Sequence, residues 1–132
     1  MYAPDSGLEA YQQTNTDARA ASADPHELVL MLLDGFIDEL ARAEGHIKGN
    51  RFEHKGKSIS KCIDILGGLD SALDMEQGGE VALNLHNLYE YCGQTLFEVS
   101  VSNEVEKLEQ VERIMLNLRE GWVGMMHNSR AL

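Results

Sequence analysis

At 132 residues the chain has the length of one domain, enough to bury roughly two-thirds of the surface its unfolded form exposes. A formal charge of −11 argues against nucleic-acid binding, which needs clustered Lys and Arg against phosphate. No apolar run reaches membrane-spanning length, and the two prolines, Pro4 and Pro25, leave a long Pro-free stretch that favours helices over a turn-rich β fold.

Residues 1–23 are small and polar, with little periodicity beyond Leu8 and Tyr11, and read as a flexible arm. They lack the basic start and apolar stretch of a secretory signal, and Cys62 and Cys92 fall on predicted buried helix faces, as reduced core thiols would. The expected location is therefore the cytoplasm. In "SADPHELVLMLLDGFIDELARAEGHIKGN", Asp24 can cap a helix, Pro25 suits its first position and Glu27 completes a capping-box spacing. Val29, Leu32, Leu33, Phe36, Leu40, Ala43 and Ile47 form one stripe, while Leu30, Ile37 and Ala41 form a weaker second one.

A second helix is predicted from Phe52 or Lys57 to Leu73, burying Ile59, Cys62, Ile63, Leu66, Leu69 and Leu73. "MEQGG" reads as the turn into a third helix. In that helix Val81, Leu85, Leu88, Tyr89, Cys92, Leu96 and Val99 make the core stripe. Asn103 is placed to cap a fourth helix, which runs to about Met126 and buries Leu108, Val111, Met115, Leu118, Trp122 and Met125. The expected fold is all-α, an antiparallel up-down-up-down four-helix bundle over 24–126, with 127–132 as a disordered tail.

Six of the eleven basic residues lie between Arg42 and Lys61, whereas acids outnumber bases eleven to three from Asp70 to Glu120. The basic stretch reads first as solvated surface and second as a docking patch for an acidic partner. Catalytic patterns are missing: no HExxH, no Glu-x-x-His, no CxxC. "HKGKS" imitates the end of a phosphate-binding loop, but Arg51 stands where the first glycine is needed. No enzymatic activity, cofactor or metal site is expected.

Surplus apolar residues are the informative feature. Leu83, Phe97 and Val101 fall nearly opposite the core stripe of the third helix, and Ile65 and Ala72 lie off the main face of the second. A central helix covered on two sides would explain them; so would a groove for a partner's amphipathic helix, with the arm as a plug.

The whole pattern resembles the flagellin-specific export chaperone family. The likeness is carried by "YQQ", by "ASADPHELVLMLLDGFIDELARA", by "LDMEQGGEVALNLHNLYEYC" and by "VEKLEQVERIMLNLREGW", in that order over residues 2 to about 122. The resemblance implies a helical bundle without enzymatic activity or cofactor. It would grip the disordered C-terminal segment of flagellin in the cytoplasm, prevent premature polymerisation and present the subunit to the flagellar export gate of the type III apparatus. It also implies an arm folding back into the groove, where Leu8 and Tyr11 would be the plug. An anti-sigma factor or a flagellin-binding regulator is a further partner of such proteins. The charged "GNRFEHKGKSIS" departs from the family pattern as a long connection. Oligomeric state stays open, a homodimer included. The competing class is a signalling bundle of the histidine phosphotransfer type, for which mid-helix His86 is the candidate, although Asn84, Asn87 and Glu90 give it no cation.

Overall fold

Asp24 starts the first helix: its carboxylate accepts the Glu27 backbone N–H at 2.9 Å, and Pro25 takes the first helical position. The structure is a computed structural model that describes residues 24–131, with side chains as far as Asn128. The arm 1–23, with Leu8 and Tyr11, lies outside the described residues. Four helices follow: α1 Pro25–Lys48, α2 Phe52–Ser71, α3 Met75–Ser102 and α4 Val105–Ala131. α4 thus continues past Met126 through most of the segment expected to fray.

Each helix packs on the next in sequence, and α4 closes back on α1. With short connections, this makes an antiparallel up-down four-helix bundle. Its centre is filled by Leu33, Phe36 and Leu40 of α1, Leu66 and Leu69 of α2, Leu96 and Val99 of α3, and Leu108, Val111 and Met115 of α4. Full burial of one such side chain contributes about 1.5–3 kcal/mol. Cys62 and Cys92 are buried and unpaired, and burial pushes their thiols up to about 12 and about 11. They stay protonated and unreactive.

Two contacts close α4 onto α1. Arg119 Nε donates to Asp34, and Trp122 Nε1 donates to the His26 carbonyl at 2.9 Å, with the two rings 5.6 Å apart. His26 and Asp34 come from "ASADPHELVLMLLDGFIDELARA", and Arg119 and Trp122 from "VEKLEQVERIMLNLREGW". These side chains hold α4 against α1.

The connection between α1 and α2 is only residues 49–51, because the charged segment read as a long loop is mostly the start of α2. Asn50 takes a left-handed φ of 58°. Arg51 then folds back over the end of α1, donating to the Gly45 carbonyl and to His46 Nδ1, each at 3.1 Å. Lys55 is only 5% exposed, and its ammonium donates to the Ser100 carbonyl and to Asn103 Oδ1. Arg42 and Lys48 pair within α1 with Glu39 and Glu44. Arg42, Lys48, Arg51 and Lys57 are exposed, as the solvated-surface reading expects, while Lys55 is committed to the end of α3.

Asn103 does not cap α4. It ends α3 in a left-handed conformation (φ 59°), and Ser102 Oγ accepts the Glu104 backbone N–H instead. α3 opens on Asp74, whose carboxylate accepts the N–H groups of Glu76 and Gln77. Gly79 breaks its helical path at φ 51°, ψ −126°. "MEQGG" is therefore a capped helical turn with a kink rather than a loop.

Candidate partner-binding groove

α3 touches α2 on one side and α4 on the other, and among the described residues no element covers its third side. Leu83 is 47% exposed, Phe97 66% and Val101 75%. Three apolar residues in water are tolerable singly, but these share one outward sector of one helix. The reading in which neighbours cover α3 on both flanks and bury these residues is therefore overturned.

Between α2 and α3 lies an open groove lined by Ile63 from α2 and by Asn87, Glu90, Tyr91, Gln94 and Phe97 from α3, with Gly93 as its floor. A Cβ at Gly93 would stand 3.8 Å from Leu66 Cδ1, so the small residue lets the helices approach closely beneath the groove. Tyr91 is fixed at the far wall, its hydroxyl accepting from Gln110 Nε2 of α4 at 2.8 Å. Phe52, 46% exposed, stands at the other end of α2, its ring centroid 5.5 Å from Lys55 Nζ. Because that same ammonium reaches Ser100, Phe52 is held beside the end of α3 that bears Phe97 and Val101.

The anticipated residues divide. Phe97 lines the groove. Leu83 lies on the same helix face, 14 positions earlier, or about 21 Å along the axis. Val101 continues that face one turn past Phe97. Ile65 is half-buried and packs towards α1, where a Cβ on Gly35 would be 3.8 Å from its Cδ1. Ala72 is exposed but follows the last residue of α2, away from the groove lining.

The α2 residue that does line the groove is Ile63, assigned to the core from its spacing. The α1–α2 interface is the most extensive of the four, so α2 buries the flank carrying Ile65 and leaves the flank carrying Ile63 open. Val81, also expected inside, is exposed. On α4 the core takes Met126 rather than Met125: eleven residues after Met115 is three turns, which returns Met126 to the same side.

His86 is unsuited to phosphoryl transfer. Its Nδ1 lies 2.7 Å from Asp70 Oδ1 and its Nε2 3.2 Å from Glu90 Oε1, so an incoming phosphate would meet two carboxylates. The hydrogen bond with Asp70 holds its pKa above the usual value, against a smaller opposing effect of burial. Among the described residues no group of three or more His, Cys, Asp or Glu is placed to hold a metal, and no helix is long and apolar enough to cross a membrane.

A helical bundle with a solvent-facing groove on α3 matches one family over nearly its whole length: the family described as "Flagellar protein FliS" aligns with residues 7–129. The chain belongs to the FliS family. It is 40% identical over 127 residues to the flagellar secretion chaperone FliSB of Pseudomonas aeruginosa, covering 96% of this chain and 100% of the relative. The flagellar secretion chaperone FliS of Salmonella typhimurium is 38% identical over 118 residues, 89% of this chain and 87% of its own. That of Escherichia coli is 37% identical over 123 residues, 92% and 90% of the two chains. These FliS relatives are chaperones, a non-enzymatic class.

Proposed function

We propose that this FliS-family chain is a cytoplasmic export chaperone that binds the disordered C-terminal segment of flagellin. By holding that segment it prevents premature polymerisation and delivers the subunit to the flagellar type III export apparatus. The observation that carries the reading is the exposure of Phe97 and Val101 beside Ile63 and Phe52, in a family of flagellar secretion chaperones. Amphipathic helices dock on such surfaces through apolar anchors three, four or seven residues apart.

A disordered segment loses conformational freedom on docking, so its complex needs a broad buried area. The α2–α3 groove supplies one anchoring point and Leu83 a second along α3. Leu8 and Tyr11 of the arm are proposed as a tethered competitor for the same surface. A tethered competitor acts at an effective concentration reaching millimolar, which keeps cargo binding reversible. Calorimetric titration of the full chain with flagellin, and with flagellin lacking its C-terminal segment, tests the proposal. Binding of the first and loss of binding by the second are expected; equal binding of both refutes the assignment.

A further inference from the structure

α3 carries four glutamates, Glu76, Glu80, Glu90 and Glu98, and neither lysine nor arginine anywhere in Met75–Ser102. Glu80, Glu90 and Glu98 are exposed and share the outward sector with Leu83, Phe97 and Val101. Asp64, also exposed, follows Ile63 on α2. Two neighbouring basic groups are already engaged. Lys107 of α4 lies 3.1 Å from Glu98 and 3.6 Å from Glu104, and His86 divides itself between Asp70 and Glu90. Glu80 has no ion pair among the described residues. The apolar anchors therefore sit in a negative field that nearby side chains only partly cancel.

We propose that the segment seated along α3 is a cationic amphipathic helix whose apolar anchors are flanked by Lys or Arg. This deepens the groove reading above and rests on it. Leu83 and Phe97 stand about 21 Å apart, so a helix of roughly 15 residues spans both, with its anchors two heptads apart. Asn87 and Gln94 between them offer hydrogen bonds rather than apolar contact. A single exposed ion pair contributes little, but several of one sign speed encounter and reject anionic competitors.

The test uses the full chain and two synthetic amphipathic peptides of about 18 residues, with identical leucines and flanking positions all Lys in one and all Glu in the other. Fluorescence anisotropy should show the Lys peptide binding about tenfold more tightly at about 50 mM salt, with the preference shrinking severalfold at about 300 mM. Glu80→Gln with Glu90→Gln should shrink it likewise, and Phe97→Asp should abolish Lys-peptide binding. Equal binding of the two peptides, a preference untouched by salt and by the glutamine substitutions, or Lys-peptide binding that survives Phe97→Asp would each overturn the inference. The flagellin titration separates the two readings. Flagellin bound without any Lys preference leaves the proposed function standing and removes this one; Lys-peptide binding without flagellin binding does the reverse.

Discussion

Lys55 Nζ lies 2.7 Å from Asn103 Oδ1, joining the first turn of α2 to the residue that ends α3. The same ammonium donates to the Ser100 carbonyl at 2.8 Å, so a cation meets the negative end of the α3 dipole in a nearly dry site. Lys55→Met keeps the apolar stem and removes the donor, leaving two acceptors without it. We expect a loss of about 1–3 kcal/mol in chemical denaturation, larger than for a surface lysine such as Lys57. A Tm unchanged by Lys55→Met would show that water replaces the ammonium without cost.

Adjacent residues on α3 should respond in opposite ways. Leu96 is fully buried whereas Phe97 points out. Leu96→Ala should cost about 2–5 kcal/mol of stability. Phe97→Asp should leave helicity and Tm nearly unchanged while weakening flagellin binding about tenfold or more, as loss of a central anchor does. Circular dichroism and calorimetry on the two variants check the contrast; unfolding by Phe97→Asp would place that ring inside after all.

The arm supplies a separate prediction. Deleting residues 1 to 18 should leave the bundle helical and tighten flagellin binding severalfold, as removal of a competitor at millimolar effective concentration would. An unchanged dissociation constant would exclude the arm from the mechanism.

The link between His86 and Asp70 depends on pH. Because the hydrogen bond with Asp70 raises the folded-state pKa above 6.5, the protonated form stabilises the bundle. Its contribution is fully present below the unfolded value and is lost as pH rises through the folded one. His86→Gln should therefore lower Tm most below about pH 6, with the gap closing as pH rises through the folded-state value. A gap that widened towards high pH would contradict the assignment.

Gly79 is the position where backbone geometry demands glycine. At φ 51° and ψ −126° an L side chain is strained, although a Cβ there meets no other atom within 4 Å. Gly79→Ala should cost about 1–2 kcal/mol through the backbone alone. Calorimetric melting checks this, and a neutral substitution would mean that the kink relaxes into continuous helix.

Helix number, order and approximate spans followed from periodicity and caps, since Asp24-Pro25 and the stripe through Leu33, Phe36 and Leu40 leave little choice. The outward set Leu83, Phe97 and Val101 was legible for the same reason: residues opposite a continuous core stripe must face away from it. What spacing could not decide was the flanks. Ile63 and Ile65 stand on opposite edges of the α2 stripe, and only the unequal reach of α1 and α3 over α2 determines which edge is buried. The role of Lys55 was not legible, because a lysine in sequence carries no mark of its acceptors. Lys55 is separated from Ser100 by 45 positions, and only the antiparallel return of α3 joins them.

The two inward-facing thiols leave the surface chemically vacant. Cys62 and Cys92, fully enclosed and held in the protonated form, will not compete for a maleimide or a nitroxide reagent at neutral pH. A single Gln94→Cys substitution would then place one spectroscopic reporter in the groove of an otherwise native chain, where arrival and departure of a docked segment could be timed directly.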